Sequence, residues 1–136
     1  MITRSRIENY FDSLGVDETT TKEDEGFVTT FIIDYDGFQS EIILTTDDFN
    51  IRLDLFFSEV SCTNNLLKSL NEFNRYSKYF KAYYSYANEA VIISTTQMYQ
   101  NNKFEEILEK SLNSLVNLDS DYIENLYRLC YGGLNE

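Results

Sequence analysis

Residues 64–95 read NNLLKSLNEFNRYSKYFKAYYSYANEAVIIST, and this stretch decides the fold of the chain. Its first half carries apolar residues at helical spacing: Leu66, Leu67, Leu70 and Phe73. Thr63 or Asn64 can cap the start of this predicted helix. Two predicted strands follow, over residues 79–86 and 90–98, and the turn between them is short. The sequence therefore predicts a helix that leads directly into a β-hairpin.

The chain before this stretch predicts one helix and three strands. Apolar residues at i, i+3, i+4 and i+7 predict a helix over residues 2–14, and Gly15 ends it. The polar, acidic residues 16–26 predict a loop. Alternating apolar residues predict three antiparallel strands that share one covered face: residues 27–35, 38–45 and 51–57. Asp36-Gly37 is a strong hairpin pattern between the first two.

The chain after residue 98 predicts two further helices. Apolar residues at helical spacing mark a long helix over residues 104–118, and Asp119-Ser120 can cap a shorter last helix. The predicted order is α-βββ-α-ββ-α-α. We therefore predict an α+β fold, with an antiparallel sheet of about five strands and helices packed on one face. A length of 136 residues fits one domain, residues 1–136.

Composition narrows the class of function. A net charge of −12 argues against direct binding to nucleic acid and to anionic membranes. The chain has no histidine, which removes imidazole from any catalytic or metal-binding scheme. Cys62 and Cys130 lie far apart without metal-type spacing. We predict no catalytic residues, no metal site and no cofactor. The sequence shows no signal peptide or membrane span, which predicts a cytoplasmic protein.

The end of the central helix carries a family resemblance. Residues 70–75 read LNEFNR, and Lys81-Ala82-Tyr83 and residues 90–93, AVII, follow. This pattern resembles the YbjN-like family, whose members have the type III secretion chaperone-like fold. The resemblance covers about residues 65–118, and the predicted topology matches from about residue 2. It implies a non-enzymatic protein-binding module, chaperone-like or regulatory, that is often a homodimer.

Tyrosines dominate the region that the resemblance covers. Seven of the fourteen residues from Phe73 to Tyr86 are Phe or Tyr, and both faces of the predicted strand carry them. Tyrosine is favoured at interfaces because it combines a large apolar area with a polar tip. The predicted partner-binding residues are Tyr76, Tyr79, Tyr83, Tyr84, Tyr86 and Arg75. The alternative is that another helix of the same chain covers these rings. Asn74 continues the apolar stripe, which predicts that its amide bonds to strand backbone.

Carboxylates concentrate in the first half of the chain. The acidic surface that we single out comprises Asp17, Glu18, Glu23, Asp24, Glu25, Asp47, Asp48, Asp54 and Glu59. A solvated, solubilising face explains these residues. Alternatively, the carboxylates mimic nucleic-acid phosphates and block a nucleic-acid-binding protein. Small phage inhibitors of nucleases, such as anti-CRISPR or anti-restriction proteins, have this kind of composition.

Overall fold

The computed structural model describes residues 1–35, 38–118 and 120–132, without the side chains of Tyr35, Phe38, Ser120 and Asp121. The helices are α1 (Arg4–Leu14), α2 (Asn64–Tyr76), α3 (Phe104–Val116) and α4 (Ser120–Tyr131), and a 3₁₀ turn (Asn101–Lys103) precedes α3. The strands are β1 (Thr19–Glu23), β2 (Gly26–Tyr35), β3 (Phe38–Thr46), β4 (Asn50–Phe57), β5 (Lys81–Ser85) and β6 (Ala90–Met98). The predicted hairpin turn at Asp36-Gly37 and the predicted cap Asp119 lie outside the described residues.

The strands form one antiparallel sheet in the order β1-β2-β3-β4-β6-β5. The predicted α+β class is confirmed, but the described residues form six strands where about five were predicted. The error lies in residues 16–26, where a loop was predicted. Thr19–Glu23 is a strand that pairs with Gly26–Thr30. Most of its residues are exposed, so its sequence has no alternation of apolar residues that would predict a strand. Pairing with β2 stabilises it as a strand.

The four helices bury their apolar residues against one face of the sheet, here called the inner face. Each of β2, β3 and β4 sends alternate side chains to this face, as Phe31, Ile42 and Leu55 illustrate. Phe11 of α1 packs on Phe31 with ring centroids 4.8 Å apart. The inner face and the helices therefore share one hydrophobic core.

Side-chain caps fix the starts of two helices, and the cap at Thr63 was predicted. The Thr3 hydroxyl accepts a hydrogen bond from the Arg6 amide at 3.3 Å, and the Thr63 hydroxyl accepts one from the Leu66 amide at 3.1 Å. Gly15 ends α1 in the left-handed region, with φ of 69°. In the part of the chain that the structure covers, no helix combines the length and apolarity needed to cross a membrane.

Both edge strands are shorter than their neighbours. β1 has 5 residues and pairs with only the first half of the 10-residue β2. β5 has 5 residues and pairs with residues 90–94 of the 9-residue β6. Residues 31–35 of β2 therefore extend past β1 at one edge of the sheet, and residues 95–98 of β6 extend past β5 at the other edge.

Candidate functional site

The end of α2 is tied to the edge strand β5 by one side chain. The Asn74 amide nitrogen donates to the Ala82 carbonyl oxygen at 2.8 Å, and the Ala82 amide donates to the Asn74 amide oxygen at 2.8 Å. The amide of Asn74 is thus hydrogen-bonded to strand backbone, as its place on the apolar stripe predicted. This contact joins the last turn of α2 to the second residue of β5.

The face of the sheet opposite the helices, here called the outer face, carries apolar side chains. One row of directly opposed residues crosses five strands: Ile32, Glu41, Phe56, Ile92 and Tyr83. Ile32 is 59% exposed and Tyr83 is 38% exposed, whereas Ile92 is almost fully buried beneath its neighbours. Among the described residues no helix packs on this face, and exposed apolar side chains on such a face are typical of interaction surfaces.

An arginine is held in place beside this row. The Arg52 guanidinium donates from Nε to both carboxylate oxygens of Asp54, at 2.9 and 3.1 Å, and from Nη2 to the Tyr83 hydroxyl at 3.1 Å. Burial opposes the charge of the guanidinium, but Asp54 and Tyr83 outweigh it, so the pKa of Arg52 is raised. Arg52 is therefore a permanently charged group whose position is fixed on the outer face.

A groove of about 500 Å³ opens next to Arg52 and is here called the basic groove. Its lining residues include three cations and none that is acidic: Arg52, Lys78, Tyr79, Lys81, Tyr83, Ser94, Thr95, Thr96 and Gln97. Lys81 lies directly opposite Ser94, at the point where β5 begins. In a chain with a net charge of −12, this is a local concentration of positive charge.

Two of the predicted partner-binding tyrosines point their hydroxyls inward. The Tyr79 hydroxyl lies 3.2 Å from the buried Ser111 hydroxyl of α3, and the Tyr84 hydroxyl donates to the Val60 carbonyl oxygen at 2.5 Å. Burial is the main cause that raises the pKa of Tyr84. Both hydroxyls are therefore paired within the chain, Tyr79 with α3 and Tyr84 with the segment between β4 and α2.

The other predicted residues lie apart from one another. Tyr76 is 69% exposed at the end of α2, and its ring centroid is 6.4 Å from that of Tyr122 in α4. Tyr86 is 72% exposed, and its hydroxyl lies 3.7 Å from the Cys62 sulfur, a hydrogen bond that raises the pKa of Tyr86. Arg75 is exposed on α2. Of the six predicted residues, the strand register places Tyr83 on the outer face.

The predicted acidic residues separate into smaller groups. Glu23, Asp24, Glu25 and Asp47 line one groove of about 380 Å³ at a corner of the sheet. A Cβ on Gly26 would lie 1.8 Å from the Thr46 carbonyl oxygen, so this glycine allows the two turns to approach.

The remaining predicted carboxylates have other surroundings. Asp17 and Glu18 line a groove of about 600 Å³ beside Ile32 and Glu41, at the open part of β2. Asp48 accepts a hydrogen bond from the Ile2 amide at 3.0 Å. Asp54 is paired with Arg52 on the outer face, and Glu59 is exposed two residues after the end of β4, with φ of 59°.

Sequence reasoning missed Arg52 as part of the site. It lies 31 residues from Tyr83, and only the pairing of β4, β6 and β5 brings the two side chains together. One pattern could have indicated it: Arg52, Asp54 and Phe56 occupy the positions of β4 that alternate with its apolar inner residues.

No protein-family model matches this chain, and no curated protein matches its sequence. The YbjN-like resemblance therefore stays a prediction that rests on residues 65–118.

Proposed function

We propose that this chain is a non-enzymatic protein-binding module, chaperone-like or regulatory, whose partner docks on the outer face of the sheet. One observation carries the proposal: a row of side chains from Ile32 to Tyr83 crosses five strands on the face that the helices leave open. The YbjN-like resemblance, which implies a protein-binding module, supports the same function.

The outer face also has the dimensions of a specific interface. The sheet has six strands that average between seven and eight residues. At a strand spacing of about 4.8 Å and a rise of about 3.3 Å per residue, its outer face covers about 700 Å². Two such faces bury about 1,400 Å², which lies within the range of stable protein interfaces. A homodimer through this face is the simplest assembly that the proposal predicts, and a different protein partner would use the same surface.

The test compares two substitutions of exposed apolar residues. Ile32→Lys places a charge in the outer row, whereas Phe49→Lys places one on the β3–β4 turn, where Phe49 is 69% exposed. Light scattering after size exclusion should give twice the chain mass for the natural protein and for Phe49→Lys. Ile32→Lys should give the monomer. If a host protein co-purifies instead, it should be lost from Ile32→Lys and retained by Phe49→Lys. A monomer that captures no protein contradicts the proposal.

A second candidate function rests on the acidic corner formed by Glu23, Asp24, Glu25 and Asp47. We propose that these carboxylates, which two turns bring together, can occupy a site built for phosphates on a nucleic-acid-binding protein. The assay is inhibition of plasmid cleavage by a panel of restriction enzymes and CRISPR nucleases. Reversal of residues 23–25 to lysine should abolish inhibition, whereas lysine at Glu106 and Glu109 of α3 should not. Absence of inhibition by the natural protein would remove this candidate.

A further inference from the structure

The uncovered end of β6 leaves backbone groups available. β5 pairs with residues 90–94 of β6, so residues 95–98 have β4 on one side and no strand from the described residues on the other. In an antiparallel sheet, alternate residues direct their N–H and C=O groups to opposite sides. About two of these four residues therefore offer backbone donors and acceptors to the groove. The uncovered length is about 13 Å at about 3.3 Å per residue.

The basic groove lies along this same stretch. Its lining includes Thr95, Thr96 and Gln97 of β6, Lys81 as the first residue of β5, and Lys78 three residues before it. Arg52 reaches it from β4 and is held by Asp54 and Tyr83. A fixed guanidinium loses little conformational entropy when it binds a carboxylate, which makes it a good anchor.

We propose that the basic groove binds an acidic, extended segment of a partner protein, which adds to the sheet as a short strand along residues 95–98 of β6. Backbone hydrogen bonds to the β6 edge would supply affinity. Alternate side chains of the added strand lie on the outer face, where Asp or Glu would meet Lys81 and Arg52. This proposal rests on the proposed protein-binding function and adds the chemistry of the partner.

The charge of the basic groove favours an acidic extended peptide over a basic peptide or a small anion. The nine residues that line the groove contribute three cations and no carboxylate. Arg52 is already paired with Asp54, so Lys78 and Lys81 supply the net positive charge that favours an anionic segment and opposes a basic one. A small oxyanion alone would use the cations but would leave the β6 backbone edge unpaired. An extended peptide uses both features. The other uncovered stretch, residues 31–35 of β2, borders the acidic residues Asp17, Glu18 and Glu41 and would reject the same segment.

The experiment is titration of the isotope-labelled full chain with short capped peptides, followed by amide chemical shifts. The probe alternates glutamate with valine, and its matched control replaces each glutamate with lysine. A third peptide keeps the glutamates but carries N-methyl groups on the backbone, and inorganic phosphate is the fourth probe. The glutamate probe should give saturable shifts confined to residues 95–98 and 78–83. The lysine and N-methyl peptides should bind at least about tenfold more weakly.

Two charge-matched variants complete the design. Lys78→Glu with Lys81→Glu should weaken binding of the glutamate probe by about tenfold or more, whereas Lys68→Glu with Lys110→Glu, on exposed surfaces of α2 and α3 outside the groove, should change it less than about twofold. Equal binding of the lysine peptide overturns the proposal. So does equal binding of the N-methyl peptide, phosphate shifts that match those of the peptide, or absence of saturable shifts up to about 1 mM. Ile32 lies outside the basic groove. The oligomeric state of Ile32→Lys therefore tests the proposed function, and the peptide titration tests the basic groove separately.

Discussion

The pair of hydrogen bonds between Asn74 and Ala82 allows a quantitative prediction. Replacing Asn74 by alanine removes two bonds of 2.8 Å and leaves the buried Ala82 backbone without either partner. Each bond contributes about 1 kcal/mol net, and unpaired buried groups add to the loss, so we expect a cost of about 2–3 kcal/mol. Alanine also has a higher helix propensity than asparagine, which reduces this loss of unfolding free energy by about 0.5 kcal/mol.

Asn71→Ala is the matched control, because Asn71 is an exposed asparagine on the same helix. It gains the same helix propensity but loses no bond to β5, so the difference between the two variants isolates the Asn74 contacts. Urea unfolding should show Asn74→Ala less stable than Asn71→Ala by about 2–3 kcal/mol, with unchanged dependence on denaturant. Amide exchange should quicken along β5.

A difference below about 0.5 kcal/mol would refute the reasoning, since that is the range of surface substitutions without a structural role. Asn74→Asp provides an independent check. It keeps an acceptor for the Ala82 amide but directs a carboxylate at the Ala82 carbonyl oxygen. We expect it to be at least as unstable as Asn74→Ala at neutral pH. Equal stability of Asn74→Asp and the natural chain would show that the amide nitrogen donates no useful bond.

Two further predictions concern side chains with defined partners. Tyr79→Phe should lower the unfolding free energy by about 1 kcal/mol because Ser111 loses its hydroxyl partner, whereas Tyr76→Phe at an exposed site should change it by less than about 0.5 kcal/mol. Equal effects in urea unfolding would contradict this. The hydrogen bond from Arg6 lowers the pKa of Glu105 below 4.5, so the pair stabilises the fold above that pH and loses this effect as pH falls through the lowered pKa. Glu105→Gln should therefore flatten the fall of the unfolding free energy as the pH drops below about 4.5, and an unchanged slope would count against it.

Helices and inner-face strands could be predicted because their residues repeat with a period that burial imposes. Leu66, Leu70 and Phe73 mark α2 at helical spacing, and the alternation in β4 places Leu53 and Leu55 inward. The hydrophobic effect acts on each of these residues locally, so the pattern survives in the sequence. β1 lacked such a pattern because it lies at the sheet edge with most of its side chains in water.

The candidate site was less predictable because it depends on contacts between distant residues. Tyr83 and Tyr84 are neighbours in the sequence and identical in type, yet one bonds to Arg52 and the other to the Val60 carbonyl oxygen. Strand alternation separates their two faces, but only the tertiary partners decide which hydroxyl serves the fold. The basic groove likewise required the order of β4, β6 and β5 to bring Arg52 near Lys81.

The strand order also has a consequence during synthesis. β4 pairs with β6, not with the next strand in the sequence, and β6 ends at Met98. After β4 has left the ribosome, it is itself an open edge until the roughly forty residues from its end to Met98 have also emerged. At 5–20 residues per second this lasts about 2–8 s. During that time an apolar strand with Leu53 and Leu55 is available to other nascent chains. Slow emergence of residues 58–98 from the ribosome would therefore lower the yield of folded protein without any change in the stability of the finished chain.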